Sequence, residues 1–105
     1  ISRVRAAIAP PGDAQPDWRL AQAVALRLAA RIAPPKAGLF AYRDESEVFA
    51  EHARMTAGRD LDYSALEYAA LEESGPQQWP YRAGQGTPRL YADGVFPTAS
   101  GRARV

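Results

Sequence analysis

Pro16-Asp17-Trp18-Arg19-Leu20-Ala21-Gln22-Ala23-Val24-Ala25-Leu26-Arg27-Leu28-Ala29-Ala30-Arg31-Ile32 is the stretch with the clearest helical period, and Pro34-Pro35 follows it one residue later. At about 100° per residue, Trp18, Leu20, Ala21, Val24, Ala25, Leu28 and Ile32 fall within one broad arc, while Arg19 and Gln22 lie outside it. Pro16 suits a first turn because its missing N–H has no intrahelical partner there, and Asp17 sits near the positive end of the dipole. The two prolines stop the helix, since neither can donate a backbone hydrogen bond and each crowds the residue before it. The pattern predicts a helix over residues 16–32 that packs through Leu20, Val24, Leu28 and Ile32, with Arg19 facing away. Upstream, Ala9-Pro10-Pro11-Gly12 is a breaker cluster.

Downstream, Leu39-Phe40-Ala41-Tyr42 reads as a strand or an extended lead-in. Asp44-x-x-Glu47 then matches a capping box, in which the Asp44 carboxylate accepts from the Glu47 amide and Glu47 reaches back. The helix it opens should run to about Thr56, with Val48, Phe49, His52 and Met55 on one side and Gly58 as terminator. A shorter helix is expected between Ser64 and Ser74, apolar at Leu66, Ala70 and Leu71 and stopped by Gly75-Pro76. Beyond it the pattern changes to turns. Asp93-Gly94, between Leu90-Tyr91 and Val95-Phe96, predicts a two-residue hairpin, and Arg102-Ala103-Arg104-Val105 alternates like a strand after the Ser100-Gly101 turn. The fold class is thus an α/β fragment: two or three short helices, an irregular loop and a short β-hairpin. A strand that stops with the chain and an opening Ile1 lead us to expect a segment of something longer.

Composition narrows the function. The 105 residues hold 22 Ala but only 19 Leu, Ile, Val and Phe, so the expected core is thin and its stability marginal. With no Cys and one His, these residues supply no disulfide, thiolate metal site, iron–sulfur cluster or multi-histidine site. Arg27 and Arg31 interrupt the longest Ala/Leu-rich run, which excludes a transmembrane helix within it. Charge is segmented: basic over 1–37, acidic over 38–75, basic again over 76–105. A nucleic-acid footprint wants one continuous basic face, so no nucleic-acid partner is expected.

Individual residues add little chemistry. His52 is the one side chain that ordinarily titrates near neutrality, but it sits on a helix beside Glu51 with no spaced nucleophile, and a structural role is expected. Gly84-Gln85-Gly86 is a GxG without a preceding strand, a following helix or a third glycine. Glu72-Glu73 reads as a solvated helix end. Tyr63, Tyr68, Tyr81 and Tyr91 are spaced for packing rather than for stacking bases. In Gln77-Gln78-Trp79-Pro80-Tyr81 the indole offers a large apolar area and the proline fixes the backbone, which predicts that Trp79 anchors an irregular loop. No catalytic, cofactor-binding or metal residue is assigned.

In order along the chain, Asp17-Trp18, Tyr42-Arg43, Gly58-Arg59-Asp60-Leu61-Asp62, Tyr68, Leu71, Gly75-Pro76-Gln77-Gln78-Trp79-Pro80, Arg89-Leu90-Tyr91, Asp93-Gly94, Phe96-Pro97-Thr98 and Gly101-Arg102-Ala103-Arg104 resemble the large catalytic subunit of bacterial assimilatory nitrate reductases, within the molybdopterin oxidoreductase superfamily. Gln78-Trp79-Pro80 is shared more widely, including with formate dehydrogenase-like members, and Val105 stands where the family more often has Phe. The resemblance implies a parent enzyme that holds molybdenum on two molybdopterin guanine dinucleotides with a 4Fe-4S cluster, and that reduces nitrate to nitrite in the cytoplasm. It implies that residues 1–105 are one internal segment of that catalytic domain, ending at the approach to the C-terminal dinucleotide-binding β-barrel. The cluster and metal cysteines then lie outside it, and its partner is the remainder of the catalytic subunit. A formate dehydrogenase-like parent and an autonomous, non-enzymatic interaction module are the competing readings.

Overall fold

A computed structural model describes all 105 residues. Its elements are α1 (Asp17–Ile32), a 3-10 helix (Pro34–Phe40), α2 (Glu45–Arg54), α3 (Tyr68–Ser74) and an antiparallel pair, β1 (Tyr81–Arg82) with β2 (Gln85–Gly86). Short helices, a connecting loop and a hairpin are the architecture expected from the sequence. The radius of gyration is 18.3 Å, against about 13 Å for a compact domain of this length. Only six residues are buried, so the thin core is real.

α1 forms where the period placed it, but turned the other way. Leu20, Val24, Leu28 and Ile32 are all more than half exposed, while Ala29 is buried and Gln22, Ala25 and Leu26 are partly covered. The side against the chain is therefore the one that carries Gln22, which the amphipathic reading had set outside. Two causes combine. After Ala33 the chain folds straight back as a 3-10 helix, and Ala29 and Ala33 let that backbone approach closely; the Ala33 amide donates to Ala29 O at 2.8 Å. Gln22 then clamps the peptide of Tyr42, donating from Nε2 to Tyr42 O at 3.1 Å and accepting from Tyr42 N at 3.0 Å.

The predicted extended stretch at 39–42 is also corrected, because Leu39 and Phe40 belong to the 3-10 helix. Pro34 and Pro35 occupy its first two positions, where a fixed φ is an advantage and no N–H is missed. Asp44 caps α2 as expected, accepting from Ser46 N at 2.9 Å and Glu47 N at 3.2 Å. Glu47 reaches back one residue further than in a capping box, to the Arg43 amide at 2.8 Å. On α2 the inward residues are Phe49 and Ala53, whereas His52 and Met55 are exposed.

α3 starts at Tyr68, not Ser64. Leu66 precedes it in a turn, its amide donating to Tyr63 O at 2.9 Å, and is the most deeply buried large side chain. Leu66, Leu71 and Tyr81 make the core, with Ile1, Phe49, Tyr63, Tyr68 and Ala70 packed around them. Phe49 contacts the rings of Tyr63 and Tyr68 at centroid distances of 6.4 and 5.3 Å. Aromatics that bridge loops and helices thus replace the missing aliphatics.

The hairpin lies at 81–86 rather than around Asp93-Gly94, with Tyr81 opposite Gly86 and Arg82 opposite Gln85. Its turn residues, Ala83 and Gly84, have φ of 51° and 80°, the two positive angles a tight hairpin needs. Asn or Asp commonly takes the first of these positions; an alanine there sends no signal. Asp93-Gly94 does form a turn, with Val95 N donating to Asp93 Oδ1 at 3.0 Å and Gly94 N to Tyr91 O at 3.0 Å. No ladder extends from it. Tyr91 and Phe96 instead stack at 4.8 Å, and residues 102–105 are irregular rather than a strand.

Candidate functional site

The loop from Gly75 to Thr87 is held by a dense set of hydrogen bonds. Its entry pairs with the first residue: Gln77 N donates to Ile1 O at 2.9 Å and Ile1 N to Gln77 O at 2.6 Å. The Gln77 side chain ties the loop to itself, donating to Gly75 O at 3.1 Å and accepting from Gly86 N at 3.2 Å. Gln78, with its amide oriented by its neighbours, donates to Thr87 O and Pro88 O at 2.8 Å each. Thr87 closes the far side onto Pro80 O, through its amide at 3.0 Å and its hydroxyl at 2.7 Å. The Trp79–Pro80 bond is cis.

Asp62 fixes this loop to the body. Its carbonyl accepts from Tyr81 N at 2.8 Å, while its carboxylate accepts from the Ser64 hydroxyl at 2.7 Å, Ser64 N at 2.9 Å and Gly58 N at 2.8 Å. The Ser64 hydroxyl above all, then the Ser64 and Gly58 amides, hold the Asp62 carboxyl down at about 2. These bonds favour the ionised form, which accepts all three. Sequence reasoning missed this hub, although Asp-x-Ser is a recognisable side-chain-to-backbone turn signal.

Trp79 does not fill the role predicted for it. Trp79 is 41% exposed, whereas its neighbours Pro80 and Tyr81 are buried. The loop is anchored by the Tyr81 ring in the core and the Tyr81 hydroxyl on Gly84 O at 2.9 Å. Trp79 lines a cleft of about 260 Å³ with Ile1, Gln78, Thr87 and Leu90. That is below the usual range for a small-molecule pocket, and its two polar side chains are already engaged in the bonds above.

Most of the other candidates lie apart from this loop. His52 is exposed, its ring 5.9 Å from that of Tyr63. Glu72 meets Arg3 at 3.3 Å and also Arg5, with Glu73 exposed beside it. Tyr68 lies under the Arg3 guanidinium at 3.8 Å, and Tyr63, Tyr68 and Tyr81 pack as expected. Gly84-Gln85-Gly86 is the hairpin and not a phosphate loop. A larger cleft of about 410 Å³ between the 3-10 helix and α2 contains Tyr42, Glu47, Glu51 and Arg54. There the Tyr42 hydroxyl donates to Glu51 at 2.5 Å, which raises the phenol's pKa, and Glu47 accepts from Arg43 Nε at 2.5 Å. No three His, Cys, Asp or Glu side chains come together as a metal-binding group. No helix is long and apolar enough to cross a membrane.

Known proteins share this stretch of sequence. A nitrate reductase of Synechocystis is 37% identical over 100 residues, covering 90% of this chain and 13% of the relative. The chain is homologous to one segment of large oxidoreductases. A Staphylococcus haemolyticus protein provisionally named as a formate dehydrogenase is 34% identical over 106 residues, covering the whole chain and 10% of the relative. A similarly named Staphylococcus aureus protein gives the same identity and coverage. The chain thus spans roughly a tenth of the relatives it matches. No family model and no solved structure matches it.

Proposed function

We propose that the chain is a structural segment of a molybdenum-dependent assimilatory nitrate reductase, the parent reducing nitrate to nitrite. The observation that carries this reading is the 37% identity to a nitrate reductase over nearly the whole chain. On this reading residues 1–105 belong to one catalytic domain and lead toward its dinucleotide-binding β-barrel. The parent, assigned by family resemblance to the cytoplasm, would carry molybdenum bis(molybdopterin guanine dinucleotide) and a 4Fe-4S cluster. The residues of this segment do not fit as ligands to either metal centre, since they include no Cys and no side-chain cluster of the needed kind. Their task is mechanical: the Asp62 hub and the Gln77–Thr87 bonds hold a rigid loop in a fixed place.

The formate dehydrogenase-like alternative is supported by the relative matching every residue of the chain at 34% identity. The two reactions run electrons in opposite directions. Nitrate reduction takes up two electrons and two protons and releases water; formate oxidation releases two electrons, a proton and carbon dioxide. The test is therefore the purified full-length parent, with metal analysis, a reduced dye offered with nitrate, and an oxidised dye offered with formate. Stoichiometric molybdenum with nitrate-dependent dye oxidation is the expected result. Formate-dependent dye reduction alone would assign the parent to the alternative, and a matured parent with neither activity and no molybdenum would overturn both.

A further inference from the structure

α1 has two apolar sides, and only one has a partner within the chain. The alanine side packs on the 3-10 helix. On the other side Leu20, Val24, Leu28 and Ile32 are 55, 64, 53 and 73% exposed, four large side chains in a single continuous stripe. A helix apolar on opposite sides is a helix designed for burial, and a stripe of this kind on a solvated surface marks an interaction site. Arg27 and Arg31 join Val24 and Leu28 around a groove along this stripe, and neither takes part in the chain's ion pairs, which involve Arg3, Arg5 and Arg43.

We infer that the Leu20/Val24/Leu28/Ile32 face of α1 is an internal packing surface for another segment of the same parent polypeptide, one presenting aliphatic side chains bordered by carboxylates that meet Arg27 and Arg31. The inference rests on the reading that the chain is part of a longer parent, and deepens it by naming the surface. Length identifies the occupant: the relatives extend over roughly nine-tenths of their sequence beyond the matched segment, so covering chain is available in the same molecule. Charge selects its rim, because two unpaired guanidinium groups beside an apolar groove favour acidic neighbours.

The experiment uses the full-length parent carrying Leu28→Cys, which replaces one apolar side chain by a smaller one that a packed site tolerates. A water-soluble maleimide is applied to folded and to denatured protein, and labelling at position 28 is read by peptide mass mapping so that other thiols do not contribute. Labelling in the folded parent should be slower by roughly tenfold or more, because it must await local opening. Adding Arg27→Glu and Arg31→Glu should return much of the lost rate. Equal rates in folded and denatured parent would overturn the inference. So would protection that disappears on dilution to monomeric parent, which would assign the face to a second copy. Protection unaffected by the paired charge reversal would overturn the acidic rim. Molybdenum content and dye-linked turnover of the unsubstituted parent report separately on the enzymatic reading, so the two can fail independently.

Discussion

Gly86→Ala tests whether the loop from Gly75 to Thr87 is held as tightly as its hydrogen bonds suggest. A Cβ at this position would lie 2.7 Å from Gln78 O and 2.8 Å from Gln78 N, both backbone atoms. Relief requires one strand of the loop to move by about 0.7 Å, and overpacking of this kind costs about 1–3 kcal/mol. The same movement lengthens the 3.2 Å bond from Gly86 N to Gln77 Oε1, with about another 0.5–1.5 kcal/mol at stake. A local destabilisation of about 1.5–4.5 kcal/mol corresponds to amide exchange faster by about tenfold to two-thousandfold. The amides to follow by NMR are those of Tyr81 and Thr87, which donate to Asp62 O at 2.8 Å and Pro80 O at 3.0 Å. Gly38→Ala is the matched control, since its Cβ would meet nothing within 4 Å and its φ is unexceptional; it should leave those amides unchanged. Wild-type exchange in Gly86→Ala, or equal acceleration in Gly38→Ala, would refute the claim that backbone proximity at Gln78 dictates the glycine.

Leu66→Ala should destabilise the chain by about 2–5 kcal/mol in a denaturant titration, because the side chain is 1% exposed at the centre of the core. Trp79→Ala should cost clearly less than Leu66→Ala in the same titration, since Trp79 is 41% exposed. Asp62 should contribute acid sensitivity: its carboxyl lies at about 2 when folded against an ordinary value of 3.8, so its stabilisation is present above about pH 4 and is lost as pH falls toward 2. Asp62→Asn should flatten that part of a pH titration followed by tyrosine fluorescence, and an unchanged acid limb would show that the carboxylate's bonds to Gly58 and Ser64 do not stabilise the fold.

Local chemistry was legible wherever one residue type has one use. Asp44 at the start of α2, Pro34-Pro35 after α1 and the Gly75-Pro76 break after α3 all act where their restricted geometries dictate. The hairpin was misplaced because the strongest turn pair, Asp93-Gly94, closes on stacked Tyr91 and Phe96 rings instead of strands, whereas the observed turn uses Ala83, whose positive φ no propensity announces. The packing role of Tyr63, Tyr68 and Tyr81 was legible too, because the three rings gather around Leu66 and Leu71. Asp62 was not, since its partners become evident only once Gly58, Ser64 and Tyr81 are seen to converge on it.

The reversed face of α1 and the exposed ring of Trp79 have one physical origin. Burial by periodicity assumes that the largest apolar side chains find their partners within the sequence at hand. Here the internal contacts include small and amphipathic groups, with Ala29 and Ala53 buried, Gln22 on the Tyr42 peptide, and Tyr63, Tyr68 and Tyr81 around Leu66 and Leu71. Leu20, Val24, Leu28 and Ile32 on α1, together with Trp79, are exposed instead. Those side chains have the most to gain from leaving water. For α1, that exposure is what the proposed packing surface would remove. The period therefore located the helix but not its buried side: within this chain α1 packs through Gln22, Ala25, Leu26 and Ala29, and the core beyond it is made by Leu66, Leu71 and the tyrosines around them.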